Sequence, residues 1–493
     1  MKKLIAFLMA AAMLLGLCAC ASGGSTGGEA AGTEAVAPTA GFMAGYAKVD
    51  VTPSDTGVPM NGYASSSERL STGLLSYIYS IAVAIRDAEG NTAVMVSVDN
   101  AALGDAICEE VRDWAVKKLG LPKENLLIAS IHQHSCPDPN NGNEAASAQY
   151  RLLLVDGIKE SIEQAVEDLA PAEVYINKVQ TEALSFVRHY WTAAGTLCGD
   201  GFGDASSGLV SHESEADKEM RLVKFTREGK DAIIMVNHQG HPHMGTKEAD
   251  TNIHSDWPGV MRDEISKELG AQVIYFSGAG GNMNSASRIT SENISTDFRD
   301  HGRRAAQYVV GAESSYTKVE AGTIACKEIT VAYDTDHSMD HLLTEAKIIA
   351  DARARNSQEA RALLADYPQF NSIYHASAVV NKAAAGPTRN ITISAITFGD
   401  VAFTCHPYEM FDTNGMELRG GTVGNENYAA DEQLENPFAM TMIASLGNGT
   451  HGYVPSQLGY TNGGYSTDIT KFGPGTGERI VGDMLGLLNE LHK

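Results

Sequence analysis

The 493-residue chain is short of positive charge, aromatic side chains and cysteine, and each shortage excludes something. With 37 Lys plus Arg against 61 Asp plus Glu, its formal net charge is -24. A field of that sign repels a phosphate backbone, so nucleic acid is excluded as a partner. Aromatics make up 7% of the chain. Beyond the N-terminus no apolar run approaches the roughly 18 residues that span a bilayer, so the body of the chain is expected to be soluble. Cysteines past the N-terminal stretch are Cys108, Cys136, Cys198, Cys326 and Cys405. That odd, widely spaced set makes no disulfide framework, and mostly buried thiols with at most one or two bridges are expected. The 43% hydrophobic content is, by contrast, ordinary for a packed core.

What is present begins with an address. Lys2 and Lys3 followed by the apolar stretch Leu4 to Leu17 read as an export signal over residues 1–19. Leu17-Cys18-Ala19-Cys20 resembles the bacterial lipobox, with Cys20 as the lipidated residue and new N-terminus. Residues 20–41 are then the lipidated cysteine and a flexible Gly/Ser/Ala/Thr tether. The expected location is extracytoplasmic, anchored to the cell membrane by lipid, with more than one acyl chain needed for a stable hold. Loss of residues 1–19 removes two lysines, so 35 basic against 61 acidic residues leave -26.

Residues 42–493 contain no fixed-period repeat and no second linker, and read as one domain. Strand patterns fall at 81–86, 93–98, 125–131, 173–179, 221–226, 232–237, 272–276, 391–398 and 401–405. Helical patterns at 101–119, 146–169, 255–269, 296–310 and 411–418 alternate with them. The expected class is α/β, a single large domain with a mixed, mostly parallel sheet or sheets covered by helices, and an active site at strand C-terminal ends. Residues 338–384, rich in Ala, Leu, Arg and Asp, read as an inserted helical hairpin, either a lid or packing.

Four predicted strands run straight into polar or Gly-rich residues. The strand at 125–131 leads to His132-Gln133-His134-Ser135, whose two imidazoles share a face if the extended conformation persists. The strand at 232–237 leads to His238-Gln239-Gly240-His241-Pro242-His243, that at 272–276 to Ser277-Gly278-Ala279-Gly280-Gly281-Asn282-Met283-Asn284, and that at 401–405 to His406-Pro407-Tyr408-Glu409. An isolated His-x-His is usually a pair of loop histidines bonded to backbone. Six of the chain's 15 histidines at three such exits, with a carboxylate at hand, point instead to a metal, and imidazole with carboxylate suits Zn²⁺. The His-Glu-x-x-His zinc-protease helix is absent, and the single Gly-x-Ser-x-Gly match, Gly23 to Gly27, lies in the tether where no nucleophile elbow forms.

Taken in order, these segments resemble the N-terminal catalytic domain of the neutral/alkaline (non-lysosomal) ceramidases. The series comprises Gly45 to Pro53, Asn61-Gly62-Tyr63-Ala64, Ser97-Val98-Asp99, Ile131 to Pro137, Asn237 to Pro242, Ser255 to Gly259, Pro407 to Phe411, Gly452 to Pro455 and Gly463-Gly464-Tyr465. The resemblance implies one zinc per chain, held by His132, His241, Glu409 and Tyr453. His134 is implied to contact the reacting group, and Arg188 to bind a substrate head group. Asn284 and the Gly278 to Gly281 backbone, Gly280 and Gly281 with it, would line the side where an oxyanion develops. Tyr453 would count as catalytic through its place at the metal, or act only as a hydrogen-bond donor behind it.

This chain departs from the family pattern at four places. Asn284 stands where the family has a serine, Cys136 replaces a glycine beside the first His, Ser466 replaces a glutamate, and the family's C-terminal immunoglobulin-like domain is expected to have no counterpart. The implied activity is zinc-dependent hydrolysis of an N-acyl amide, of the N-acylsphingosine amidohydrolase type in sphingolipid metabolism, with a small-molecule or lipid N-acyl substrate and no evident protein partner. Two rivals stand beside it: an esterase or deacylase acting on glycan or small N-acyl substrates, and a non-catalytic solute- or metal-binding lipoprotein.

Overall fold

The computed structural model describes residues 41–62, 69–141, 144–199, 208–245, 251–289, 291–292, 294–420 and 435–492. The export signal, Cys20 and the tether lie outside the described residues. Two larger sheets carry the chain. The first, nine-stranded, runs in the order Gln272–Ser277, Lys230–His238, Glu219–Arg227, Ala170–Gln180, Met43–Asp50, Tyr79–Arg86, Thr92–Val98, Leu126–Ser130, with Thr317–Val319 also paired to Ala170–Gln180. The second, four-stranded, runs Ile324–Asp334, Thr388–Phe398, Val401–His406, Met440–Ser445.

Alternation along the strands explains how the sheets stack. Ile81, Val83, Met95, Val223, Phe225 and Phe276 of the first sheet share one buried cluster with Ile396, Phe398, Phe403, Met440 and Met442 of the second. Residues one position along turn the other way. Ala82, Ala84, Val94, Val96 and Ile128 meet Ile107, Val111, Leu154 and Ile158 of helices Asp105–Leu119 and Ala145–Glu167. Val236, Val273 and Tyr275 meet Trp257, Met261 and Ile265 of helix Asp256–Leu269. Ile391, Ile393 and Ile443 meet Ile480, Val481 and Met484 of helix Thr476–Leu491. The result is sheet on sheet with helices outside, an α/β domain.

The pairing corrects one expectation. Most neighbours are antiparallel. In the two larger sheets the parallel pairs are Thr92–Val98 with Leu126–Ser130, Lys230–His238 with Gln272–Ser277, and Val401–His406 with Met440–Ser445. Alternating strand and helix signals suggested a mixed sheet with mostly parallel neighbours; the sheet is mixed, but hairpins such as Glu219–Arg227 into Lys230–His238 make most of the first sheet antiparallel.

The insertion is three helices rather than a hairpin, Leu343–Arg355, Ser357–Leu363 and Ile373–Ala383, around a core of their own that includes Ile349, Phe370, Ile373 and Val379. Cys108, Cys136, Cys198, Cys326 and Cys405 are all free thiols. No helix among the described residues is long and apolar enough to cross a membrane.

Candidate active site

Each of the three parallel pairs ends at the same place. His132 leaves Leu126–Ser130, His241 leaves Lys230–His238, Gly278 to Gly281 leave Gln272–Ser277, and Glu409 follows Val401–His406. His132, His241, Gly278, Gly280, Gly281, Glu409 and Leu446 line one small cavity. His132 Nε2 lies 3.0 Å from Glu409 Oε2 and 3.5 Å from His134 Nε2, and His241 Nε2 lies 3.0 Å from His134 Nε2. The ligand atoms of His132, His134 and His241 all fall within 4.8 Å of one another, a group that could hold a metal ion. Tyr453 sits beside Glu409 in a short parallel ladder, and its hydroxyl hydrogen-bonds the Glu409 carboxylate.

The two imidazoles of His-x-His do meet, with ring centroids 4.8 Å apart, but not because the strand continues. His132 has φ 65, in the left-handed region, so the chain turns at the first histidine. Such a conformation costs a non-glycine residue about 1–3 kcal/mol and persists only where its surroundings hold it. Here the His132 amide donates to Asn100 O and its Nδ1 donates to Ala101 O at 2.7 Å. Because a carbonyl can only accept, Nδ1 carries a proton, and Nε2 is the nitrogen that faces Glu409. Cys136 has a structural part in this: its Sγ accepts from the Ala101 amide and donates to Gln133 O. Gly62 is required behind His134, since a Cβ there would lie 2.6 Å from the ring, and its φ is +104.

Burial disfavours charge on every imidazole of the group, and the outcome differs by neighbour. Burial and the charges of His132 and His243 push His134 and His241 well below the usual histidine range, and burial holds His243 at about 4. His132 faces the same burial, but attraction to Glu409 and hydrogen bonds to Glu409 and Ala101 outweigh it and raise its pKa. Glu409, buried too, is brought below the ordinary carboxylate value chiefly by His132. Burial and the Glu409 charge drive the Tyr453 phenol well above 10, so it stays protonated.

Arg188 lies at the site. Its Nη2 donates to Gly281 O and to Ser466 Oγ, both at 2.7 Å, and its guanidinium carbon stands 5.4 Å from the Tyr453 ring centroid. The Gly-rich exit is more committed than its sequence implied. The Gly281 amide donates to Met410 O and the Gly278 amide to His238 O, so neither amide is left to face an oxyanion. A Cβ on Gly281 would lie 2.4 Å from Glu409 O, and the glycine is needed to seat the Glu409 strand. Asn284 pairs with Phe186 across a two-residue ladder, and its Oδ1 is buried without a hydrogen-bond partner.

Of the six exit histidines, two do not join. His238 packs edge-on to Trp257 at 6.3 Å, and His406 stacks on Tyr408 at 5.7 Å. Ser466, which takes up Arg188, and the Arg69 guanidinium, which donates to His134 O at 2.8 Å, were not among the predicted site residues. Ser466 was visible as a departure from the family pattern, whereas Arg69 gave no signal in the sequence.

Residues 42–273 match the family model described as neutral/alkaline non-lysosomal ceramidase, N-terminal. Among curated proteins, neutral ceramidase 2 of Arabidopsis thaliana is 24% identical over 205 residues, 37% of this chain and 24% of that protein. Neutral ceramidase 3 of the same plant is 22% identical over 284 residues, 52% of this chain and 35% of that protein. The chain thus spans about a quarter to a third of the length of these relatives. Among solved structures, the neutral ceramidase of Pseudomonas aeruginosa superposes with a TM-score of 0.68 at 16% identity, over 92% of this chain and 75% of that one. Residues 42–273 are thus similar to the N-terminal region of the neutral/alkaline non-lysosomal ceramidases, and the chain shares the fold of the Pseudomonas aeruginosa structure.

Proposed function

We propose that the chain is a zinc-dependent hydrolase of an N-acyl amide bond, ceramidase-like in scaffold and held at the extracytoplasmic face of the cell membrane by lipid on Cys20. The observation that carries the reading is the meeting of His132, His241 and Glu409 at one cavity where three parallel strand pairs end, with His134 against both histidines. The donor set fits a borderline metal such as zinc, because nitrogen and carboxylate ligands predominate and burial disfavours charge on His134 and His241. His132, His241, Glu409 and Tyr453 would hold the ion. When bound, zinc supplies Lewis acidity, polarising a carbonyl and lowering the pKa of water to about 7.

The remaining roles belong to the chain. His134, neutral and in reach of the cavity, hydrogen-bonds the reacting group and carries its proton to the departing amine. Arg188 fixes the wall opposite by holding Gly281 and Ser466, and presents a positive charge to the substrate's polar end. Asn284 supplies an amide donor where the family has a hydroxyl. A specific observation favours a second assignment within the same reaction: Tyr453 hydrogen-bonds Glu409 and remains protonated, which suits a donor behind the ion, with His134 as the fourth ligand.

Metal analysis of purified protein, followed by assays on ceramide, N-acyl amino acids and acetylated sugars, tests the proposal. One zinc per chain, and amide hydrolysis lost on chelation and restored by zinc, are expected. Full activity in metal-free folded protein would overturn it, and turnover of acetylated sugars alone would move the chain to the glycan deacylases. Mass spectrometry of the mature N-terminus tests the anchor; an unmodified start elsewhere than Cys20 would remove it.

A further inference from the structure

Four large apolar side chains within residues 70–77, those of Leu70, Leu74, Leu75 and Tyr77, are each between 44% and 55% exposed. Single exposed leucines are ordinary, whereas a contiguous group marks a surface that meets something apolar. Backbone bonds fix this group in place. Gly73–Leu74 pairs with Asn252–Ile253, the Leu75 and Ser76 amides donate to Ile253 O, and the Ser255 amide donates to Ser76 Oγ. Leu74, Leu75 and Tyr77 border a recess of about 340 Å³ together with Tyr79, Arg262 and Asp263. The cations there each stand against a carboxylate: Arg262 donates to Asp99 through both Nη atoms at 2.7 and 2.6 Å, and Lys48 Nζ lies 3.6 Å from Asp263 and 4.0 Å from the centre of the Tyr79 ring. An apolar rim with tyrosines, over a wall carrying both signs, complements a zwitterionic lipid surface, and the chain's net charge of -24 disfavours an anionic one. The patch also shares an edge of the first sheet with the candidate site. The Asp99 amide, just past Thr92–Val98, donates to Tyr79 O, and Asn100 O accepts from the His132 amide.

We propose that this patch docks on a bilayer of zwitterionic phospholipid, with Leu74, Leu75 and Tyr77 entering its interfacial layer and a headgroup seated in the recess against Arg262 and Asp263. The bilayer enters through the reading of Cys20 as a lipid anchor, and the length of chain after Cys20 is compatible with it. A Gly/Ser-rich coil of residues 20–40 spans about 25 Å root-mean-square. That is close to the roughly 26 Å which the strand Met43–Asp50 covers between the tethered edge and the edge of the patch. Docking there turns the edge that carries His132 towards the lipid, where an N-acyl lipid substrate is met.

The test is co-sedimentation of the mature chain, carrying Cys20→Ser so that no acyl chain contributes, with vesicles of phosphatidylethanolamine and phosphatidylcholine. The chain is expected to bind, and the double variant Leu74→Ala with Leu75→Ala to bind about tenfold more weakly. A second variant, Tyr77→Trp, should bind as well as the parent and add a fluorescence signal that shifts to the blue on these vesicles. No binding by the parent, equal binding by the folded double variant, or no shift from Tyr77→Trp overturns the proposal. Tighter binding to phosphatidylglycerol vesicles overturns the zwitterionic assignment. Self-association in solution that the double substitution abolishes would give the patch to a second copy of the chain and overturn the proposal too. Binding is read without turnover and without lipid on Cys20, so failure of the hydrolase reading or of the anchor leaves the result intact.

Discussion

The middle of the first sheet and the ends of its parallel pairs are made from similar residues and do different work. Ala170–Gln180, Glu219–Arg227, Met43–Asp50 and Tyr79–Arg86 pair antiparallel, so neighbouring strands leave the sheet at opposite edges. Among the described residues these strands contribute nothing to the cavity lining. A parallel pair sends both carboxyl ends out at one edge, and the crossover returning the chain leaves room there for loops. Two such pairs in the first sheet and one in the second bring five segments to one spot. Position in the pairing scheme, more than composition, separates scaffold from chemistry in this chain.

The comparison is sharpest where the losses differ in kind. His132→Ala should abolish hydrolysis while the chain stays folded, since even groups that only support metal ligands are typically worth about 10- to 100-fold. Full activity in a folded His132→Ala variant, with trace metals controlled, would break the division. The opposite pattern is expected inside the antiparallel region. Phe225→Ala, at a fully buried position between the sheets, should cost about 3–5 kcal/mol in denaturant unfolding yet leave activity per folded molecule unchanged.

A third variant concerns Asp256, at the start of the helix beneath the His241 exit. Burial raises its carboxyl to about 7, and its Oδ2 has no hydrogen-bond partner. The folded state therefore keeps a proton that the unfolded chain releases near pH 4, and stability contributed by this group falls as pH rises from about 4 to 7. Asp256→Asn keeps an acceptor for the Trp257 amide and tolerates the φ of 50. It should gain on wild type by up to ~1.4 kcal/mol per pH unit across that window; parallel stability curves would refute the assignment. The smallest effect is expected from Asn284→Ser, which should alter rate or substrate preference without being required for turnover. Activity appearing only in that variant would mark the chain as a silenced relative.

The cavity was legible in the sequence because its strands are. Leu126–Ser130 and Val401–His406 are buried at every position, short apolar runs whose polar exits stand out. The central strand Met43–Asp50 was not read as one, since Met-Ala-Gly-Tyr-Ala lacks the β-branched residues that mark strands. Gly45 is there for another reason: a Cβ would lie 2.1 Å from Ala165 O, so helix Ala145–Glu167 can approach only over a glycine. The commitments of Arg188 and Gly281 were equally hidden, because they join segments that local pattern cannot relate. The left-handed backbone at His132 arises from its bonds to Asn100 and Ala101, and no periodicity carries it.

The span of those long-range contacts has a kinetic meaning. Arg188 and Ser466 are separated by 278 positions in sequence. His132 and Glu409 likewise come from different sheets, so the cavity exists only after the two sheets have docked. Closing loops of that length is slow, and the pocket should be among the last features to form during refolding. A ligand confined to the pocket binds only the completed molecule, so the return of binding would time the docking step, and saturating ligand would slow its reversal.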